Sequence, residues 1–414
     1  MSEADLRNQR LGIVSHVLPP SPSGQAMVLH RLLSGTPPER YFLVSLEDHS
    51  EGDKNGSSPG KLPGRHYHLA PPLRLRDFPG PGLGFAMGYL NARIAVRSRA
   101  RQIAEIARKE GCGLLVGCTG DLYDLPSAAL AARWEKLPFV PYIFDDYIYQ
   151  WTGNARRIAS LLEPSILRHA RAVIVPNEFA LEGYSRRCGA PGVVVRNPCL
   201  LPDLAELDGV KRVFGPGEFH IVYTGAVYHA QADAFRNLIG ALSLPGLEKT
   251  RLHIYTAQSG TELERRGIAG PMVIRHPHVP PAEVPTILRQ ADILFLPLAF
   301  RSPIPEVIRT SAPGKTGEYL AAGRPVLVHA PRDSFLSWYF RTNGCGEAVD
   351  REDPDALAAA ILRLRADRGL RDELSLAARR AAEKDFGLDK NRKIFEEMTD
   401  DILSGSVRVL PEGG

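Results

Sequence analysis

Apolar residues fall along this chain in short unbroken runs, and the runs recur between longer stretches of mixed polarity. Those at 11–17, 41–46, 113–118, 139–144 and 172–176 have the length and lack of alternation expected of strands buried in a parallel sheet. A last short strand, 192–198, ends in a turn, and residues 201–219 (LPDLAELDGVKRVFGPGEF) read as a linker. At His220 the rhythm restarts, with strands at 220–225, 251–257, 272–279, 293–298, 325–330 and 346–350. Helices are predicted at 27–33, 93–109 and 353–365 and in a long charged region after Arg371. The fold class is α/β. Two successive strand–helix series predict two Rossmann-like, doubly wound domains facing a central cleft.

Length supports the division, because 414 residues exceed one ordinary core. The net charge is only +4, but residues 1–200 hold 24 Lys and Arg against 18 Asp and Glu, and the remainder 27 against 29. A modestly basic first half suits either an anionic acceptor, a membrane surface or plain solvation; no nucleic-acid partner is expected. Within it, 93–109 (RIAVRSRARQIAEIARK) reads as an amphipathic helix, a surface helix before an interfacial one. The five cysteines show no C-x-x-C spacing, which argues against a disulfide framework or zinc site and suits a reducing cytoplasm. The N-terminus has charges without the apolar core of a signal peptide. No apolar run approaches the roughly 20 residues that span a bilayer. The expected setting is cytoplasmic, with peripheral contact at the inner membrane face through the basic first domain left open. Residues 48–64 form a Gly/Ser/Pro-rich loop long enough for a lid.

The chemistry concentrates in ADILFLPLAFRSPIPEVIRTSAPGKTGEYLAAGRPVLVH, residues 291–329. It predicts a buried strand, a long loop, a helix opened by Pro313 and Gly314, a stop at Gly323 and Pro325, and a second strand. The loop after such a strand and the start of the next helix form the ligand crevice of an open α/β sheet, and free amides there favour an anion. PGKTGE resembles a phosphate loop only superficially. A Walker sequence needs glycine five positions before Gly314, where Arg309 stands.

Other candidates follow strand ends. Gly24 and Gly225 each lie after the first strand of a series, where close backbone approach to a phosphate is allowed. Asp145 and Asp146 close the strand 139–144 and could orient an acceptor hydroxyl or steady a cationic transition state; an acidic turn capping the next helix is the competing reading. His16 follows the first strand on the crevice side. Cys118, Thr119, Gly120 and Asp121 occupy the equivalent place after 113–118. His276 and His278 flank Pro277 at a strand end, which suits a loop role better than a metal pair.

From His278 onward, HVPPAEVPTILRQADILFLPL and PGKTGEYLAAGRPVLVHAP resemble the donor-binding domain of retaining GT-B glycosyltransferases of family 4, the glycosyl transferases group 1. The similarity is specific over 278–330 and touches the loop with Gly24, YIFDDYIYQW, VIVPNEFALEGY and Arg196-Asn197-Pro198 in pattern. It implies a GT-B fold, with residues 1–200 binding the acceptor and 201–388 the nucleotide sugar. Residues 389–414 would then form a C-terminal helix returning to the first domain. It also implies sugar transfer with retention from a nucleotide-diphosphate sugar to a carbohydrate, lipid-linked or small-molecule acceptor hydroxyl, with no metal or other cofactor required. The setting would be polysaccharide, glycolipid or natural-product glycosylation. Glu318 would accept from the ribose hydroxyls. Amides around Pro313, Gly314, Lys315 and Thr316 would face the diphosphate and donor sugar. His278 and Val279 would line the base, and Gly225 would admit the phosphate.

Two departures stand out. Many relatives carry a first glutamate eight positions before the ribose glutamate, to meet the donor sugar; here Thr310 stands there. Many also carry Arg and Lys after the glycine equivalent to Gly225, where this chain has AVYHAQADAFRN. A diphosphate leaving group still needs counter-charge. Lys315 is the first candidate, ahead of Arg301, Arg309 and His229. The expected catalytic set is therefore Asp145, Asp146, His16 and Lys315. A nucleotide-sugar 2-epimerase and a non-catalytic nucleotide-sugar-binding subunit are the alternatives.

Overall fold

The computed structural model describes residues 9–48, 60–76, 82–211 and 213–405. Most of the expected lid loop, 49–59, lies outside them, as do the first eight residues. The chain divides into two compact units, Met1–Arg196 with Asp389–Gly414, and Asn197–Leu388.

The first unit is built on seven parallel strands: β1 (Arg10–Val14), β2 (Tyr41–Ser45), β3 (Arg65–His68), β4 (Cys112–Cys118), β5 (Phe139–Tyr142), β6 (Val173–Val175) and β7 (Gly192–Val194). Their order is β3-β2-β1-β4-β5-β6-β7. The helices are α1 (Gly24–Leu33), α2 (Leu83–Glu110), α3 (Asp124–Glu135), α4 (Gly153–Leu167) and α5 (Glu178–Ser185). Ile13, Leu114, Val116 and Ile174 bury one sheet face, and Val14, Val44, Leu115 and Val175 the other, as unbroken apolar runs require.

The second unit begins with a short helix, α6 (Leu204–Asp208), inside the stretch expected to be a linker. Asp203 caps it, its carboxylate accepting from Ala205 N at 2.8 Å, and Asp208 pairs with Arg289 at 2.8 Å. Its sheet holds β8 (Phe219–Thr224), β9 (Thr250–Tyr255), β10 (Val273–His276), β11 (Ile293–Pro297), β12 (Val326–His329) and β13 (Glu347–Val349). The order is β10-β9-β8-β11-β12-β13, all parallel. Between and after these run α7 (Ala232–Leu242), α8 (Gly260–Arg265), α9 (Val284–Gln290), α10 (Pro305–Thr310), α11 (Lys315–Ala321), α12 (Phe335–Asn343), α13 (Pro354–Ala366) and α14 (Arg368–Ala381). The last helix, α15 (Leu388–Leu403), packs in the first unit, where Phe395 and Met398 join Leu29, Leu32 and Tyr142.

Three elements differ from the sequence reading. The edge strand β3 is RHYH, with no apolar run to announce it, because its side chains are exposed or half-buried. Helix α2 starts at Leu83, ten residues before the basic segment, since LGFAMGYL is itself helix-compatible. The long loop after β11 contains α10, opened by Pro305 in the first turn. No helix among the described residues is long and apolar enough to cross a membrane.

Candidate active site

Each sheet reverses its strand order once, between β1 and β4 in the first unit and between β8 and β11 in the second. Loops leaving the carboxyl ends of those strands form the ligand crevice of a doubly wound sheet.

In the first unit, His16 follows β1, and its half-buried ring packs against Gly120 after β4. A Cβ at Gly120 would come within 2.1 Å of that ring, and its φ of +148° also favours glycine. Burial lowers the His16 pKa, against opposing pulls from Asp121 and Glu47, so the neutral ring prevails at pH 7. His16 Nδ1 is buried with no hydrogen-bond partner among the described residues. Thr119 ties this point to the end of β5: its Oγ1 accepts from Phe144 N at 2.8 Å and Asp145 N at 3.4 Å. His16 and Asp145 are thus carried by loops fixed to one another, and Asp145 is exposed.

The two neighbouring aspartates divide their work. Asp146 Oδ1 accepts from the amides of Ile148 and Tyr149 at 3.0 Å, and its Oδ2 pairs with Arg187. The structure thus commits Asp146, expected as catalytic, to holding a turn and anchoring a guanidinium. Gly24 opens α1 behind Ser23, whose Oγ accepts from Ala26 N at 3.1 Å. Open space surrounds the position a Cβ would take there, so packing does not demand glycine. Although expected among the donor groups, Gly24 belongs to the first unit.

In the second unit, Gly225 follows β8 at φ +109°, and its amide donates to Tyr255 O at 2.8 Å. Lys315, the first residue of α11, reaches back to this turn. Its Nζ would stand 3.1 Å from a Cβ on Gly225. The ammonium donates to the Tyr223 hydroxyl at 2.6 Å and lies 3.9 Å from the centre of the same ring. The phenol in turn donates to Ala226 O at 2.8 Å. Burial lowers the Lys315 pKa to about 7, with Glu318 pulling the other way. Glu318 is half-buried one turn along α11. Between them Thr316 is 1% exposed, and its Oγ1 has no hydrogen-bond partner among the described residues. Tyr319 fixes the helix to β8 by accepting from Thr224 N at 2.9 Å.

Residues 218–367 match the family described as glycosyl transferases group 1. Over nearly the whole chain, the structure is similar to sucrose-phosphate synthase from Thermosynechococcus elongatus, with TM-score 0.67, 13% identity and coverage of 96% of this chain and 100% of that one. HepE from Anabaena, in complex with UDP and glucose, gives 0.66, 14%, 94% and 99% on the same measures. A UDP-N-acetylglucosamine 2-epimerase from Listeria monocytogenes gives 0.57, 13%, 100% and 100%. No curated protein matches in sequence. The fold is GT-B, and residues 218–367 carry a glycosyl transferases group 1 domain.

The departures from the family pattern now have a structural account. In the stretch after Gly225, where the sequence departs from the resemblance, Asp233 sits buried at the start of α7. Its carboxylate accepts from Phe300 N at 3.0 Å and Arg301 N at 2.8 Å, pinning the loop after β11. Arg301 itself points outward, with 81% of its side chain exposed, and pairs with Glu352 at 2.9 Å. It lines a cavity of about 350 Å³ with His229, Arg236 and Asn237, and neither Lys315 nor Glu318 takes part. The Thr310 hydroxyl donates to Glu306 O in its own helix at 3.2 Å. His278 is exposed and Val279 half-buried on the loop after β10, while Pro313 and Gly314 precede α11 with Thr316 N donating to Pro313 O at 2.9 Å.

Sequence reasoning missed Tyr223, Tyr319 and Asp233. Tyr223 stood in plain view two residues before Gly225, but a strand buried on both faces gives no alternation to show which way it points. Among the described residues no group of three or more His, Cys, Asp or Glu side chains could hold a metal ion.

Proposed function

We propose that the chain transfers a sugar from a nucleotide-diphosphate sugar to an acceptor hydroxyl, with retention at the anomeric carbon. The observation that carries this is the meeting of Lys315 with the Gly225 turn. A glycine that admits a phosphate and a cation in one crevice are what a diphosphate leaving group requires. Glu318 would take the ribose hydroxyls, and the amides of Gly314 and Lys315 beyond Pro313, with the unpartnered Thr316 hydroxyl, the diphosphate oxygens. His278 and Val279 would border the base. A UDP-sugar is the first donor to test, because the Anabaena structure of the same fold carries UDP and glucose.

The acceptor belongs to the first unit on this reading, with His16 and Asp145 as the groups that receive or steer the hydroxyl proton. A neutral imidazole with an unpartnered buried nitrogen supports that role. Polysaccharide, glycolipid or small-molecule glycosylation would be the setting.

A thermal-shift screen of UDP-, GDP-, dTDP- and ADP-sugars tests the donor assignment. One nucleotide should raise the unfolding temperature, and Glu318→Ala should remove most of that rise. Equal shifts in both proteins would refute the ribose role. Because the epimerase neighbour shares the fold, the screened donor is also incubated alone; an epimerised sugar would overturn transfer as the reaction.

A further inference from the structure

We infer that Asn197 is a positioning residue for the donor site, acting through Ala312 to hold the amides that open α11. The inference rests on the donor reading of α11 proposed above.

The chain passes between its two units twice, after Arg196 and after Leu388. At the first passage the hydrogen bonding changes sides within one peptide. Arg196 N donates to Asn391 Oδ1 at 2.8 Å inside the first unit. The next side chain, half-buried Asn197, donates its Nδ2 to Ala312 O at 2.8 Å inside the second. Pro198 and Pro313 bias the residues before them, Asn197 and Ala312, to extended backbone. Ala312 thus falls between α10 and α11, where the carbonyl of an extended residue needs a donor from elsewhere.

Two further contacts fasten α11 to the same stretch of chain. Gly317, buried at its middle, would bring a Cβ within 3.1 Å of both Cys199 Sγ and Phe386 Cβ. Glycine weakens a helix relative to alanine, so its place here answers to the close approach of those two residues. They arrive as a pair: Cys199 N donates to Phe386 O at 2.8 Å, and Leu388 N to Cys199 O at 3.1 Å. At the far end of the helix, Arg379 Nη1 donates to Ala321 O at 3.0 Å and to Pro202 O at 2.9 Å. A seven-residue helix is marginal alone, so its placement follows from what holds it. Beyond the bond of Tyr319 to β8, residues 197–202 and 386–388 hold α11 at its start, middle and end.

Of these contacts, the one made by Asn197 is aimed at the phosphate end. Ala312 lies just before the Pro313-Gly314-Lys315 turn, whose amides the donor reading gives to the diphosphate. Amide bonds weaken steeply when misaligned, so freeing the Ala312 carbonyl would cost phosphate binding first. Glu318 lies beyond the Gly317 contact and keeps its own support from Tyr319. Asn197 should therefore govern affinity for the diphosphate and spare affinity for the nucleoside. A general loss of packing would lower both.

The test compares these two affinities in the full chain. UDP, GDP, dTDP and ADP are titrated by calorimetry, and the nucleoside of the one that binds is titrated by ligand-observed NMR. Asn197→Asp keeps the side chain's size but turns an acceptor towards Ala312 O. It should lower diphosphate affinity about tenfold, roughly the worth of one hydrogen bond, and leave nucleoside affinity unchanged. Asn197→Ser, too short to reach, and Gly317→Ala, which crowds Cys199 and Phe386, should shift the two affinities in the same unequal way; they carry the test if the aspartate variant does not fold. Equal losses for diphosphate and nucleoside, or full diphosphate affinity in these variants, would overturn the role of Asn197. Lys315→Met separates this outcome from failure of the donor reading. If it weakens the diphosphate while the Asn197 variants do not, the inference falls alone. If no diphosphate binds the wild type, or Lys315→Met binds as well as wild type, the donor reading falls and the inference with it.

Discussion

The Lys315 ammonium donates to the Tyr223 hydroxyl at 2.6 Å and also lies 3.9 Å from the centre of that ring. One aromatic side chain thus supplies both an acceptor and a π-face to a cation that burial has made easy to deprotonate. With a pKa of about 7, Lys315 is charged in only part of the molecules at neutral pH.

Donor affinity should therefore depend on pH. An arriving diphosphate favours the charged lysine, so binding is strongest below pH 7 and weakens as pH rises through the lysine's own pKa. A nucleotide sugar is the right probe, because its diphosphate keeps the same charge across this range. Calorimetry in buffers of differing ionisation enthalpy should reveal proton uptake on binding near pH 7. Lys315→Met should weaken binding and flatten the profile. Tyr223→Phe removes an acceptor from the charged form, so its midpoint should move to lower pH, with a loss worth about 1.5–3 kcal/mol. A pH-independent wild-type affinity would exclude Lys315 as the diphosphate's counter-charge.

Gly225→Ala probes the same turn from the backbone. An alanine would be strained at φ +109°, and its Cβ would crowd Lys315 Nζ at 3.1 Å. We expect a stability loss of about 1–2 kcal/mol from the left-handed backbone, together with weaker donor binding from the displaced ammonium. Denaturant unfolding and donor titration separate the two effects. Full donor affinity in a destabilised variant would mean that the glycine serves the turn alone.

Asp146 offers the clearest division between holding a fold and doing chemistry. Asp146→Asn keeps an oxygen for the Ile148 and Tyr149 amides but loses the charge opposite Arg187. Turnover should stay within about tenfold of wild type, whereas a general acid or base contributes 10²–10⁴-fold. Asp146→Ala should cost about 2–3 kcal/mol of stability, since two amides and part of a guanidinium lose their acceptor. A fall in turnover of a thousandfold for the asparagine variant would return Asp146 to the catalytic set.

How much of this was legible in sequence depends on what each residue responds to. Strands of the second series could be read because ILFLPL and its neighbours are buried on both faces and must be apolar, and Gly323 followed by Pro325 marks a helix end. The Glu318 and Lys315 pair was visible as a motif on one short helix. Asp233 was not, because a buried aspartate that accepts three backbone amides looks in sequence like any acid in a helix's first turn. Gly120 was named by its place after a strand, but its contact with the His16 ring was not, because that ring is about a hundred residues away and meets it only once β1 and β4 pair. Edge strand β3 and the short helices α6 and α10 are shaped by local capping and edge exposure, which leave little periodic signal.

Two carboxylate clusters of the first unit and the buried histidines of the second respond to acid in opposite senses. In the first, Arg99 faces both Asp121 and Asp124, and Arg187 both Asp146 and Glu163. One guanidinium cannot neutralise two desolvated carboxylates, so the more buried acid of a pair holds its proton: Asp124 is raised, and Glu163 reaches about 7. Folding then takes up protons, and the stability from these groups is present at low pH and lost as pH rises from about 4.5 to 7. In the second unit, His220 Nε2 donates to Gly215 O at 2.9 Å, which makes its Nδ1 the acceptor for His253 Nε2 at 3.0 Å. His253 Nδ1 in turn accepts from His276 Nε2 at 2.9 Å. His253 is lowered to about 3 by burial and its histidine neighbours, and His329 to about 4 chiefly by burial. Their stability is complete above about pH 6.5 and falls as the pH drops towards those values, by up to about 1.4 kcal/mol per unit for each. Taking the wild type from pH 7 to pH 5 should strengthen the Arg99 and Arg187 clusters of the first unit through their carboxyls and weaken the second unit's sheet through His253 and His329. Hydrogen exchange at the two pH values, corrected for intrinsic rates, reads each sheet separately. Protection should rise around β4 and α4 and fall across β8 to β10, with His253→Gln reducing the second change; parallel shifts in both sheets would refute the assignment.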